Sequence, residues 1–477
     1  MSVSCQVNVA NIERNRVLIE YRFKGKVFSF SQGEIENNGN IYTAIVGKNG
    51  TGKSRLMKAI IEEFIGNTSR RNDFRRETLV SPGLFDGKLS DKIVVNTLPS
   101  KIIAVSTSPF DKFPLDLRGN LHEKYSYLGL RNLRSADLGM AYMSNIYMSL
   151  LKSACGDKSR ISKICEVLGF LGYNPIIQAR YHLELPRNRI NDVINSSNPV
   201  DNFVDFLTSN DRRPSISARY RGFFNEDRNV NYEIVERFID IYSRMGSMDL
   251  RPRIDIVFEE NGIHFDLDKL GNIDDLFFLS ELGMASLREI NLEKNSGSIF
   301  RIGDASSGEQ SVVMNVLGIA SQIEDNSLIC IDEPEVCLHP EWQERYIDVL
   351  INTFKNFSGC QFLIATHSPL LVSKLRDENC YLVKMDDGSI VSASEVNKKS
   401  VDFQLANTFM TPGYKNEYLT RELISILTSF GETGRLDEYE KNKLSTLLSL
   451  KDKIDNSDPV FKLMEMAQEA FMEVANV

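Results

Sequence analysis

The chain has 477 residues, 42% of them hydrophobic and 25% charged, with a formal net charge of −9. That length holds two or three domains with full cores, and the negative balance excludes a whole-surface affinity for nucleic acid, leaving only local basic patches for such contacts. No apolar run approaches a bilayer span, and the N-terminus MSVSCQVNVANIERNR lacks a basic region followed by an apolar one, so the expectation is a cytoplasmic protein with no membrane contact. The seven cysteines form no C-x-x-C pair and the five histidines show no metal-ligand spacing, so the thiols read as reduced and mostly buried.

Residues 1–40 read as a β-rich lead-in. Arg16 to Phe23 and Val27 to Phe30 are strand-like runs separated by Lys24-Gly25-Lys26, a hairpin signal. Tyr21, Phe23 and Phe28 on these strands either fill the core or offer a ring for a nucleotide base.

Ile41 to Phe64 (IYTAIVGKNGTGKSRLMKAIIEEF) then reads as strand, phosphate loop and helix. The string GKNGTGKS fits G-x-x-x-x-G-K-[ST]. Gly47, Gly50 and Gly52 let the backbone of Lys48, Asn49 and Thr51 wrap closely, so that its N–H groups face phosphates at the helix N-terminus. Lys53 supplies a point charge for the β/γ-phosphates and Ser54 a hydroxyl for Mg²⁺.

Arg70, Arg71, Arg75 and Arg76 follow, mixed with Asp73 and Glu77; that mixture favours a solvated turn over a phosphate contact. Lys101 to Ser106 (KIIAVS) is a buried-strand run leading into TSPFDKFPL, a position from which a loop can sense a γ-phosphate. Residues 116–250 change character. Ala136–Lys152, Ile161–Leu171 and Tyr232–Met245 have helical periodicity, while Leu185–Arg189 and Asp211–Arg221 are arginine-bearing loops. From Arg253 a hairpin (Ile254–Glu259, turn Asn261-Gly262, Ile263–Phe265) and a short helix at Ile273–Leu282 are expected, after which Ser298–Ile302 leads back into the nucleotide-binding body.

Three stretches then complete a site. DASSGEQ places Ser306, Ser307 and Gly308 at a helix N-terminus, where a cap or an anion site forms. LICIDEP is a strand ending in two carboxylates, Asp332 for Mg²⁺ and Glu333 to polarise a water. QFLIATHSP is a strand that delivers His367 at its carboxyl end, where α/β sheets bind ligands. Beyond residue 390, Glu417–Leu427, Leu436–Leu450 and Pro459–Val474 read as amphipathic helices, which either pack on the body or dock a partner.

Together these motifs resemble the ABC-type ATPases: Walker A at Gly47–Ser54, a signature at Ser306, Ser307, Gly308, Glu309 and Gln310, Walker B at Leu328–Glu333, a D-loop at Pro334–Pro340 and a switch histidine, His367. The resemblance covers about residues 1–115 and 250–390. It departs from the transporter form at Ser307 and Glu309, where Gly and Gln are usual, and PFDKF offers no sensor glutamine. DEPEVCLHP is similar to the soluble branch of OLD-like nucleases and anti-phage ATPases, and STSPFDKF with the overall layout looks most like PtuA, the ATPase of Septu and related retron-borne defence modules.

The resemblance implies an α/β fold: an ABC-type ATPase head with a P-loop mixed sheet, a helical insertion and C-terminal helices. It divides the chain into 1–115 and 251–390 as the two halves of the ATPase, 116–250 as the insertion and 391–477 as a partner-docking region. ATP and Mg²⁺ are the implied ligands, with Lys53, Ser54 and Asp332 around the triphosphate and Glu333 and His367 as catalytic residues. Two copies would sandwich ATP, each signature acting in trans. An HNH nuclease partner is implied, and in a retron setting a reverse transcriptase and its DNA, with nucleic acid met through the complex. Residues 380–477 offer only Asp386-Asp387-Gly388 toward a nuclease centre, so no intrinsic nuclease is expected. The competing expectation is a DNA-repair or chromosome-maintenance ATPase in the manner of RecF or SMC-like proteins.

Overall fold

A computed structural model describes residues 17–32, 39–74, 88–90, 92–115, 124–131, 138–183, 192–193, 196–210, 220–225, 227, 229–245, 253–265, 271–336 and 338–475. The chain forms two compact units, residues 1–131 with 323–477, and residues 132–322. The arginine-bearing loop 185–189, most of 211–221, and the side chains of Arg70, Arg71, Arg75 and Arg76 lie outside the described residues.

The first unit opens with β1 (Glu20–Phe23) and β2 (Lys26–Ser29). Lys24 and Gly25 between them both take positive φ, 49° and 78°, as a two-residue hairpin turn of the favoured hand requires. Tyr21 and Phe28 are buried in the core, which removes them as base platforms; Phe23 stays part-exposed beside Gly52. Next come β3 (Ile41–Val46), buried throughout, and α1 (Lys53–Phe74), which presses Leu56, Met57, Ile60, Ile61 and Phe64 into the same core. Strands β4 (Lys88–Ser90) and β5 (Ile93–Val94) complete a four-stranded side sheet in the order β2-β1-β5-β4. Strands β6 (Ile102–Ser106) and β7 (Tyr125–Gly129) join the main sheet.

The second unit contains α2 (Leu138–Gly156), α3 (Lys158–Leu171), β8 (Tyr173–Leu183), α4 (Pro199–Asn210) and α5 (Tyr232–Met245). It continues through β9 (Arg253–Glu259), β10 (Gly262–Phe265), α6 (Ile273–Glu281), β11 (Ala285–Lys294), β12 (Ile299–Arg301) and α7 (Ser307–Gln322). Its strands form an antiparallel sheet in the order β10-β9-β8-β11-β12. Asp157 caps α3 by accepting the Ser159 N–H at 2.9 Å, and Gly172 ends it at φ 88°.

Segment 116–250 therefore holds the expected helices and two strands besides. Strand β7 lies at the edge of the main sheet, and β8, whose residues from Ile177 alternate inward and outward, is the centre of the second. That period-2 run sits between strong helical runs that dominate the local pattern. Likewise SIFRI supplies β12, paired to β11 at the edge of the second sheet rather than leading into the main one. A three-residue strand takes its sheet from its tertiary partner, which local sequence does not carry.

The chain returns to the first unit with β13 (Leu328–Asp332), α8 (Pro340–Phe354), β14 (Gln361–Thr366), α9 (Pro369–Ser373), β15 (Cys380–Lys384) and β16 (Ile390–Ser392). The main sheet has seven strands in the order β16-β15-β3-β14-β13-β6-β7, all parallel except the edge strand β16. Strands β3, β6, β13 and β14 are buried on both faces, which is why each reads as an unbroken apolar run. The fold is α/β, with a mixed and mostly parallel main sheet, and the parallel order brings the carboxyl ends of β3, β14, β13 and β6 side by side.

The C-terminal stretch forms α10 (Glu417–Thr433), α11 (Glu438–Leu448) and α12 (Pro459–Ala475). Leu419, Leu423, Ile426, Leu444, Leu447, Val460 and Met464 pack into a cluster of their own. Asn416 caps α10, and Asp437 with Glu440 makes a reciprocal capping box on α11. Cys165, Cys330, Cys360 and Cys380 are buried thiols and Cys155 is exposed, while Cys5 and Cys337 lie outside the described residues. No helix among the described residues is long and apolar enough to cross a membrane.

Candidate functional site

A cavity of about 580 Å³ in the first unit is lined by Asn49, Gly50 and Gly52 of the glycine-rich turn, by Lys53, Ser54 and Arg55 at the start of α1, by Glu333, Glu335 and Val336 after β13, by His367 after β14, and by Lys112 from the loop after β6. Gly50 and Gly52 hold φ of 80° and 107°, a region closed to most side chains. Gly47 has a different reason: a Cβ there would lie 2.9 Å from both Met385 Cβ and Thr51 Oγ1.

Lys53 is 5% exposed, and its ammonium donates to the Gly47 carbonyl at 3.1 Å and to the His367 ring. Burial lowers its pKa, while the Glu333, Asp332 and Glu335 carboxylates work in the opposite direction. Ser54 Oγ donates to Asp332 Oδ1 at 3.0 Å. Burial above all, helped by the Glu333 and Asp111 charges and opposed by the Ser54 hydroxyl and the Lys53 ammonium, pushes the Asp332 carboxyl up to about 7. A cation would reverse that shift, and a serine hydroxyl beside a buried carboxylate is the hard-oxygen donor set that suits Mg²⁺.

Glu333 has φ 48°, a left-handed conformation costing a non-glycine residue about 1–2 kcal/mol. The turn holds it there, since Glu333 N–H donates to Ala365 O at 2.9 Å and Val336 N–H to Glu333 O at 3.1 Å. Strain of this kind gathers at working sites. The Glu333 carboxylate lies 3.5 Å from His367 Nε2. His367 itself is pushed down to about 4 by burial and by the Lys53 ammonium, so its ring is neutral near pH 7. Behind it, Ser368 caps α9, its Oγ accepting the Leu371 N–H at 3.1 Å and donating to Gln343 at 2.7 Å.

The depressed histidine sets a pH dependence. The unfolded chain takes up the imidazole proton below about 6.5 and the folded one only near 4, so this group withdraws stability as pH falls through that window. His367→Gln should therefore gain stability relative to wild type between pH 7 and pH 5, read by urea denaturation without nucleotide or metal; a constant difference between the two chains across that range would contradict it.

Two other residues of the site were not singled out by sequence. Glu335, the second glutamate of DEPE, accepts the main-chain N–H of His367. Asp111, the acid within PFDKF, has a fully buried side chain that accepts Tyr127 Oη at 2.6 Å and Phe113 N–H at 3.0 Å, with Arg131 Nε at 3.4 Å. This knot fixes the loop that brings Lys112 to the cavity. The only sequence signal of Asp111 is an acid in an otherwise aromatic and proline-bounded stretch. Asp111→Ala removes the buried charge paired with the Arg131 guanidinium and the acceptor of the Tyr127 phenol, and is expected to cost about 3 kcal/mol in denaturant titration; a loss under about 1 kcal/mol would show that the knot does not hold the loop.

The expected signature lies in the second unit. Ser306 caps α7, accepting the Glu309 N–H at 3.2 Å, and Gly308 is buried. Glu309 meets Tyr173 Oη at 3.3 Å and Lys294 at 3.6 Å. Gln310 donates to the carbonyls of Ile302 and Ala305 at 2.7 and 3.1 Å. Ser307 opens the helix.

Residues 176–373 match the family model described as "AAA domain, putative AbiEii toxin, Type IV TA system". That stretch contains Asp332, Glu333, Glu335 and His367. The chain is 26% identical over 132 residues to the "Retron Ec83 probable ATPase" of Escherichia coli, covering 24% of each protein. It is 30% identical over 99 residues to the "Retron Vc95 probable ATPase" of Vibrio cholerae, covering 18% of this chain and 19% of that one. To the OLD nuclease of Thermus scotoductus it is 29% identical over 133 residues, 26% and 25% of the two chains. The matches thus span about a quarter or less of these relatives' lengths. Among solved structures, an Smc head domain of Pyrococcus furiosus bound to the C-terminal domain of ScpA aligns with 80% of this chain and 95% of its own at 16% identity and a TM-score of 0.28. The ATP-binding cassette MJ1267 in its ADP conformation aligns with 82% and 93% at 13% identity and a TM-score of 0.25.

Proposed function

We propose that this chain is the ATP-binding and ATP-hydrolysing subunit of an anti-phage defence complex of the Septu or retron-associated kind, and that its nucleotide state controls a partner HNH-type nuclease. The observation that carries the enzymatic half is the convergence of Lys53, Ser54, Glu333 and His367 on one cavity, with Asp332 hydrogen-bonded to Ser54, at the carboxyl ends of three adjacent parallel strands. The retron ATPases among the relatives support the defence setting.

In this reading the glycine-bounded loop wraps the triphosphate with its N–H groups, and Lys53 turns from Gly47 O and His367 to the β/γ-phosphates. Ser54 and Asp332 would hold Mg²⁺, which when bound neutralises phosphate charge. Glu333, held over the cavity by its strained turn, accepts a proton from the attacking water. Neutral His367 donates a hydrogen bond to the terminal phosphate, and its position against Glu333 fixes the line of attack. The segment Ser306 to Gln310 would serve the site of a second copy, so a working unit needs two chains. The helices α10 to α12 satisfy their inner faces among themselves and leave Ile424, Tyr439 and Met466 exposed for a partner.

The test is purification from the native operon with ATP and Mg²⁺. A nuclease-sized chain that co-elutes, and whose DNA cleavage changes when ATP is depleted, is the expected result. A chain that purifies alone and binds DNA in a salt-sensitive, ATP-stimulated way would replace this reading with the repair-type one.

A further inference from the structure

We propose that Glu335 is the positioning residue for His367: by accepting the histidine main-chain N–H it locks the turn at the end of β14, so that the imidazole meets Lys53, Glu333 and the terminal phosphate from one fixed side. This rests on the ATPase reading of the cavity.

The two turns that carry the chemistry come from neighbouring strands. Strand β13 ends at Asp332 and β14 at Thr366, with Asp332 paired to Ala365 in register. Past those ends the chains diverge, one toward α8 and the other toward α9. Hydrogen bonds between the two segments bridge that divergence. One is main chain to main chain, Glu333 N–H to Ala365 O at 2.9 Å. Ser368 Oγ donates to Gln343 of α8 at 2.7 Å. The Glu335 carboxylate accepts the Thr366 hydroxyl and, at the residue that carries the imidazole, the His367 main-chain N–H. The residue that orients water and the residue that meets its phosphate are therefore tied to each other through Glu335.

The second oxygen of Glu335 makes the case against a merely structural role. Oε2 is buried without a hydrogen-bond partner, and the nearby phenol of Tyr346, fully buried on α8, also leaves its hydroxyl unmatched. Burying a carboxylate with one oxygen unsatisfied is costly, and a glutamine or a small hydroxyl residue would cap a backbone N–H at lower cost. Burial accordingly raises the Glu335 pKa, although the His367 N–H pulls it the other way. A carboxylate held at such cost against the main chain of His367 is matched to the histidine it restrains.

The experiment compares wild type, Glu335→Ala, Glu335→Gln, His367→Ala and the Glu335→Ala/His367→Ala pair in steady-state ATP hydrolysis, with nucleotide affinity measured by titration of a fluorescent ATP analogue. Misplacing a reacting group by an ångström costs up to about a hundredfold, so Glu335→Ala should lose roughly tenfold or more in kcat with nucleotide affinity within about twofold of wild type. Glu335→Gln, which keeps an acceptor oxygen, should recover most of that rate. The double variant should be no slower than His367→Ala alone, because Glu335 acts through the histidine. Additive losses in the double variant, or a Glu335→Gln as slow as Glu335→Ala, would overturn the inference. A wild-type chain that neither binds nor hydrolyses ATP would instead take down the ATPase reading, whereas an active wild type matched by Glu335→Ala takes down this inference alone.

Discussion

Lys53→Ala should weaken ATP binding by about a hundredfold or more while leaving the chain folded. The ammonium is 5% exposed, in surroundings where a charge pair at contact distance is worth up to about 4 kcal/mol at an effective dielectric near 20. Each 1.4 kcal/mol is tenfold in affinity, so losing even two-thirds of that interaction gives roughly the stated factor. Folding is spared because the same burial that strengthens the phosphate contact also costs the ammonium its hydration, as its lowered pKa records. Without Lys53, His367 loses a cation that depresses it and Asp332 loses one that steadies its charge, so the cavity rearranges its protons rather than unfolding. Titration with a fluorescent ATP analogue and a thermal melt read both halves. An affinity within threefold of wild type would sink the assignment of the cavity to the triphosphate.

How far the sequence reached depends on what kind of information each feature needs. The strand, glycine-rich turn and helix of residues 41–64 were legible because glycine spacing and a helix start are local signals, and Gly50 and Gly52 take positive φ between β3 and α1. Asp332 and His367 were legible because each ends an unbroken apolar run, and only a parallel sheet buried on both faces needs four such runs. The roles of Glu335 and Asp111 were not legible. What singles them out is a bond to a residue remote in the chain, His367 for one and Tyr127 and Arg131 for the other, and no local period encodes such a bond. The same limit hid the second sheet: β8 finds its partners β9 and β11 about eighty and a hundred residues further on, across helices whose periodicity is stronger than its own. The C-terminal helices were read correctly as amphipathic, yet their apolar faces turn toward one another, an arrangement periodicity cannot distinguish from a face kept for a partner.

Glu333→Gln separates binding from turnover more cleanly than any other change at this site. The amide keeps the shape of the side chain and leaves intact the two main-chain bonds that hold the left-handed turn. What it removes is the proton acceptor 3.5 Å from His367 Nε2, and a positioned acid or base contributes about a hundredfold to ten-thousandfold in rate. ATP turnover should therefore fall at least about a hundredfold. Affinity should hold or rise, because one fewer carboxylate faces the triphosphate and because the Glu333 charge no longer pushes the Asp332 pKa upward, so Asp332 offers a fully ionised oxygen at lower pH. If two copies close over ATP, the blocked variant should also collect in the closed state, seen by mass photometry as a dimer that requires both ATP and Mg²⁺ and persists for as long as the nucleotide is intact. Rapid hydrolysis by Glu333→Gln would move the water-activating role to another residue of the cavity, with Glu335 next in line, and loss of binding together with turnover would mean that Glu333 belongs to the nucleotide-holding part of the site.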